Sequence, residues 1–249
     1  MSDAATYDRI GRTYSSTRGP DPRIAARITE ALGDARSVVN VGAGAGSYEP
    51  ADRRVAAVEP SWTMIEQRAS GLAPCVQAVA GALPFVAASF DAALASLTIH
   101  HWPDWRRGLD EMRRVASRVV IFTFEPGDVG AFWLTDEYFP EIVQLDVSRT
   151  ATVAQIIEHL GPSDDIRLPV PHDCTDGFLA AYWRRPEAYL DPTVRAGISG
   201  LAMLPDDVID RGTQRLADDL ADGTWEQRFG HLREVDELDV CYRLIVTRD

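Results

Sequence analysis

A chain of 249 residues with 45% hydrophobic and 25% charged residues has the composition of an ordinary globular protein, which argues against disorder or a fibrous repeat. Its 38 acidic residues against 25 basic ones leave a formal charge of −13, so a nucleic acid backbone is repelled over most of the surface and no nucleic acid partner is expected. All the basic residues are arginine, and a chain without lysine has neither a Schiff-base nucleophile nor a P-loop lysine.

In chain order, an N-terminal segment carrying Tyr7, Tyr14 and Arg18 precedes a series of short, β-branched apolar runs that alternate with helical patterns. That alternation predicts an α/β fold, a mostly parallel sheet flanked by helices. The runs are Ser37 to Val41, Arg54 to Val58, Pro74 to Val79, Asp91 to Leu97 and Val119 to Phe124. Before the last of them, Trp105, Leu109, Met112 and Val115 recur at helical spacing with charged residues on the other face, the pattern of a crossover helix. A second stripe, Val153, Ile156, Ile157 and Leu160, is closed by Gly161 and Pro162. Ile166 to Val170 and Leu238 to Val246 supply two more strands and bring the sheet to seven. Residues 173–234 between them have helical character and far exceed an ordinary connection, which predicts a helical cap inserted between the last two strands. The core is then residues 1–172 and 235–249, with the cap facing an acceptor.

The stretch SVVNVGAGAGSYEP runs from a buried-type strand directly into Gly42-Ala43-Gly44-Ala45-Gly46. Small residues there let backbone N–H groups approach a ligand closely. The next strand ends in Glu59, and a carboxylate at a strand tip can accept both hydroxyl hydrogens of a ribose. The third glycine of a dinucleotide fingerprint G-x-G-x-x-G would fall at position 47, which is Ser, and the Pro-broken segment from Ser47 to Asp52 is too short for a long helix beneath a pyrophosphate. The spacing therefore favours an adenosyl group over a dinucleotide.

With Glu59 in place, the sequence resembles the class I S-adenosylmethionine-dependent methyltransferases, in particular the small-molecule branch related to the ubiquinone and menaquinone biosynthesis methyltransferases. The match spans roughly residues 5–125: YDRIGRTYSSTR, VGAGAGSYEP, VAAVEPSWTMIEQ, VAGALPFVAASFDAALASLTIHHW and DWRRGLDEMRRVA. It implies a Rossmann-like seven-stranded sheet with an antiparallel C-terminal strand, and S-adenosyl-L-methionine as cofactor. By the resemblance Gly42, Ala43, Gly44 and Gly46 wrap the methionine part, Glu59 holds the ribose, and Pro60, Ser61 and Met64 lie along ribose and adenine. Where the family often has an acidic residue against the adenine amino group, this chain has Val79, Ala80, Gly81 and Ala82, so Ala80 and Gly81 can offer backbone contacts alone. Leu97 would sit under the reactive sulfonium. Tyr14 and Arg18 would belong to an N-terminal lid, with Arg18 able to pair with a carboxylate of cofactor or substrate.

Methyl transfer to a small-molecule acceptor by in-line displacement needs chiefly alignment. Where a base helps, His101 and its neighbour His100 just after the fourth strand are the candidates. Adjacent histidines point in different directions, and no carboxylate stands at helical spacing from a second ligand, so no metal is expected. His172, Asp173, Cys174 and Asp176 read as loop and cap residues. Phe178, Tyr182, Trp183, Arg184 and Arg185 at the start of the cap are expected to line the acceptor side. The alternatives are a catalytically silent module of the same fold and, less well matched, a nicotinamide-dependent oxidoreductase, which lacks its Tyr-Lys pair here. A nucleic-acid or amino-methyltransferase element after the fourth strand is replaced by SLTIHHW.

Three cysteines, Cys75, Cys174 and Cys241, form no C-x-x-C pair and suit a reducing compartment. The start MSDAATYDRI lacks signal-peptide regions, and no run approaches the roughly 20 apolar residues of a membrane span. The expectation is a cytoplasmic monomer or homodimer with no membrane partner.

Overall fold

A computed structural model describes residues 19–127 and 131–248. Helix α1 (Pro22–Ala31), which the apolar pattern does not predict, starts where Asp21 accepts the Arg23 N–H and Pro22 fills the first position, which needs no donor. Strand β1 (Ser37–Val41) runs into the glycine loop, and the described residues 42–53 pass through turns to β2 (Arg54–Glu59) without forming a helix. The short α2 (Trp62–Glu66) is capped by the Ser61 hydroxyl, which accepts the Met64 N–H. Next come β3 (Cys75–Gln77), β4 (Phe90–Ser96), α3 (Trp105–Val115) and β5 (Ala116–Phe124).

A π-helical turn at Leu134–Tyr138 and helix α4 (Pro140–Arg149) follow. Helix α5 (Val153–Leu160) opens with a capping box between Thr152 and Gln155 and stops at Gly161, as its apolar stripe predicts. After β6 (Ser163–Arg167) and β7 (Val170–Pro171) come α6 (Pro192–Gly197), α7 (Ser199–Ala202), α8 (Asp206–Ala221), α9 (Thr224–Phe229), β8 (Glu237–Leu238) and β9 (Tyr242–Thr247).

The main sheet has seven strands in the order β3-β2-β1-β4-β5-β9-β6. Strands β1 to β5 pair parallel, and the C-terminal β9 runs antiparallel to both β5 and β6. Two strand boundaries differ from expectation for chemical reasons. The run Ile166 to Val170 is cut by Pro169, which has no N–H for the ladder, so β6 lies earlier and Val170 pairs with Leu238 in a separate two-stranded ribbon. The run Leu238 to Val246 is cut at Cys241, whose φ of 72° falls in the left-handed region, and the Asp239 carboxylate accepts its N–H at 3.2 Å.

Alternate residues of each strand enter opposite cores. Val39, Ala93, Ile121 and Ile245 face α3 and α5 through Leu109, Met112, Ile156 and Leu160. Val38, Leu94, Phe122 and Leu244 face α1 and join one continuous cluster with Trp133, Phe139, Trp183, Tyr189, Leu216 and Trp225. The helices between β7 and β8, together with the 132–149 segment, thus share a core with the sheet. Among the described residues no helix is long and apolar enough to cross a membrane.

The 172–176 cluster does not cap a helix among the described residues. Instead, Asp173 pairs with Arg23 at 2.7 Å, and Asp176 accepts the Tyr48 hydroxyl at 2.8 Å and the Gly177 N–H at 2.7 Å, tying this loop to α1 and to the turn after β1. Trp183 is also corrected: it is fully buried in the core, its Nε1 donates to the Val170 carbonyl, and its own carbonyl accepts from Trp133 Nε1. Trp183→Ala is therefore expected to cost about 3–5 kcal/mol in urea unfolding, as cavity-forming aromatic truncations do. A loss below about 1 kcal/mol would contradict this placement.

Candidate active site

The loops after β1, β2 and β4 converge at the carboxyl edge of the parallel strands, where open α/β sheets form their ligand crevice. They enclose a cleft of about 370 Å³ lined by Gly42, Ala43, Gly44, Glu59, Pro60, Ser61, Met64, Ala80, Gly81, Leu97 and His101, all expected site residues. The glycine loop is pinned to β2 because the Gly42 and Ala43 N–H groups both donate to the Val58 carbonyl, at 2.8 and 3.0 Å. Gly42 has φ +71°, and a Cβ there would lie 2.1 Å from Thr98 Oγ1, so the β4 loop can close against it only because no side chain is present.

Glu59 is 7% exposed, and each carboxylate oxygen accepts one backbone N–H: Oε2 from Gly44 at 2.8 Å and Oε1 from Ser61 at 2.9 Å. Burial pushes its pKa up, opposed by those two N–H groups and by the charge of Arg68. Each oxygen keeps a further lone pair for a ligand hydroxyl. Beneath the loop Arg68 pairs with Glu49 at 2.7 Å, both nearly buried, and donates to the Gly44 and Ala73 carbonyls. This brace is absent from the sequence reading, because Glu49 and Arg68 are 19 residues apart and nothing local shows that they pair.

Gly46 does not line the cleft. A Cβ there would meet Leu72 Cδ1 at 2.4 Å, which makes it a packing position behind the wall. Asn40, Ser96, Thr98, Trp102 and Arg107 line the cleft without having been singled out in the sequence. Asn40 Oδ1 and Ser96 Oγ are buried with no hydrogen-bond partner among the described residues, so unspent polar atoms belong to residues of the same cleft as Glu59.

A second cavity of about 110 Å³ shares Leu97 and His101 with the first. Leu97 has φ +48°, and its N–H donates to the Phe122 carbonyl at 2.8 Å, which holds it where the two spaces meet. The walls include His100, Phe124, Phe132, Phe178 and Tyr242. The His100 ring lies 3.8 Å from His101 and 5.1 Å from Phe124, centroid to centroid. Of the expected acceptor residues Phe178 is here, whereas Tyr182 and Trp183 do not line either cavity. Arg184 and Arg185 brace backbone instead, donating to the carbonyls of Val235, and of Cys174 and Ala181. Tyr14 and Arg18 lie outside the described residues.

Residues 39–123 match the family model of a methyltransferase domain. No functionally curated protein matches the chain. Among solved structures, a protein assigned as a methyltransferase of an antibiotic biosynthesis pathway in Anabaena variabilis ATCC 29413 is 33% identical, with a TM-score of 0.87 over 94% of this chain and 99% of that one. Phosphoethanolamine N-methyltransferase 2 of Haemonchus contortus, in complex with S-adenosyl-L-methionine, shares the fold at 15% identity and a TM-score of 0.59, over 99% of this chain and 59% of that one. Geranyl diphosphate C-methyltransferase of Streptomyces coelicolor A3(2) does so at 15% identity and 0.51, over 90% and 77%.

The chain belongs to the S-adenosylmethionine-dependent methyltransferases. Its cofactor is S-adenosyl-L-methionine, and the cleft fits that group: a fixed carboxylate with lone pairs to spare, a loop of glycine and alanine alone, and buried oxygen atoms without a partner among the described residues. Glu59→Ala should weaken S-adenosylhomocysteine binding more than tenfold by titration calorimetry, and an unchanged isotherm would remove Glu59 from the site.

Proposed function

We propose that this enzyme methylates a small-molecule acceptor held in the second cavity, with the acceptor's nucleophilic atom aligned for in-line displacement at the Leu97 and His101 boundary. The observation that carries this reading is the meeting of the two cavities at those two residues. When bound, S-adenosyl-L-methionine supplies a methyl group activated by its sulfonium. Glu59 holds the ribose hydroxyls and the Gly42 to Gly44 backbone cradles the methionine part, while the aromatic walls keep water away from the acceptor. Alignment provides most of the acceleration. His101, reaching both spaces, takes the proton released by the acceptor, and His100 packs against it and shapes the wall.

Residues 173–234 act as the cap that selects the acceptor, and the π turn and α4 belong functionally with them because they line the same cavity. The acidic surface and the three free cysteines support a cytoplasmic enzyme with a small-molecule partner.

Two measurements test the reading. S-adenosylhomocysteine at about 100 times its Kd adds about 2.7 kcal/mol and should raise the unfolding midpoint by about 5–10 °C, while NAD should leave it in place. With an acceptor found by screening small molecules for label transfer, His101→Gln should lower kcat by about 10² or more at unchanged S-adenosylhomocysteine affinity. A screen without turnover despite a full thermal shift would favour the silent module, and a shift with NAD alone would overturn the reading.

A further inference from the structure

Resting on the proposed function, we infer that the acceptor carries a basic nitrogen, and that Asp146 of α4, at the wall of the second cavity, is the residue that selects it. The cavity has an aromatic wall, with Phe178 and Tyr242 at 4.7 Å and Phe124 and Tyr242 at 6.2 Å between ring centroids. Aromatic faces attract a cation. The Asp146 side chain makes no hydrogen bond among the described residues, and its charged neighbour is Arg149, one turn further along α4.

The other titratable or charged groups lining this space are His100 and His101 from the turn after β4, Glu125 after β5, and Cys241 and Tyr242 at the start of β9. Glu125 Oε2 accepts the Val153 N–H at 2.8 Å, and Arg149 Nη1 donates to Met203 Sδ at 2.8 Å. Among the described lining residues, two carboxylates and one guanidinium therefore share a space with aromatic walls. A carboxylate ligand would meet two like charges there, a neutral ligand would leave Asp146 without a hydrogen-bonding partner, and an ammonium satisfies both the carboxylate and the rings. Burial agrees with this arrangement, since it pushes the Asp146 carboxyl up to about 7 against the lowering pull of Arg149. A carboxylate so placed gains most from a cationic partner.

Three probes of one shape and different charge test the inference on the full chain saturated with S-adenosylhomocysteine: 2-phenylethylamine, 2-phenylethanol and phenylacetate. Calorimetry at pH 8 should show the amine binding at least tenfold more tightly than the alcohol, with phenylacetate weakest. Asp146→Asn should abolish that preference while S-adenosylhomocysteine affinity stays within twofold. Arg149→Gln should preserve or enlarge it, which guards against a fold defect in the first variant.

Lowering the pH from 8 to 6 protonates Asp146 and should weaken amine binding in the wild type. The histidines gain charge in the same window, so the Asn variant isolates the aspartate contribution. Alcohol or phenylacetate binding as tight as the amine, no amine binding at all, or a preference that survives Asp146→Asn would overturn the inference. In each of those cases S-adenosylhomocysteine still binds. Failure of the wild type to bind S-adenosylhomocysteine would instead overturn the methyltransferase reading beneath it.

Discussion

The site depends on a carboxylate placed where a carboxylate is costly. Glu59 ends β2 nearly buried, and its charge is sustained by the N–H groups of Gly44 and Ser61 and by nearby Arg68. Those same bonds join the glycine loop after β1 to the start of α2, so one side chain fixes both halves of the cleft. Arg68 repeats the device from below, where its buried pair with Glu49 leaves further guanidinium protons to hold the Gly44 and Ala73 carbonyls.

This arrangement also explains which ligand chemistry the cleft suits. A site built for phosphate presents a helix N-terminus after its glycine loop, and a lysine is a frequent partner. Here residues 42–53 return to β2 through turns, the chain has no lysine, and the cleft offers a carboxylate and oxygen atoms without a partner among the described residues. An adenosyl ligand without phosphate matches those groups, as it offers hydroxyl and ammonium donors.

How much of this was legible follows from the range of each interaction. Strands buried on both faces, the α3 stripe and the Thr152 to Gly161 helix announce themselves because their signals lie within a few residues. The strand breaks at Pro169 and Cys241 are also local, but one needs attention to a missing N–H and the other to a left-handed cysteine. Helix α4 buries Ile142 alone from its apolar set, so its pattern is faint, and with it Asp146 and Arg149 went unread. In the segment from Phe178 to Trp183, composition identifies bulky aromatic residues but not which pack in the core. Phe178 borders the cavity, while Trp183 is spent on hydrogen bonds to Val170 and from Trp133. Gly46 shows the same limit, because a loop glycine that meets a ligand and one that meets Leu72 look identical in sequence.

The junction of the two cavities is held under strain. A leucine in the left-handed region costs about 1–3 kcal/mol and persists only where its surroundings impose it. The Leu97 N–H is claimed by the Phe122 carbonyl, and Phe122 sits at the centre of the core that β4, β5 and β9 share with the helices between β7 and β8. Glycine would adopt this backbone without cost, yet it would remove the side chain that borders both spaces. The strain is thus balanced by core packing far larger than itself, and the helices between β7 and β8 help supply that packing. Their attachment to the sheet core ties the walls of the second cavity and the position of Leu97, which borders both spaces, to the same packed side chains.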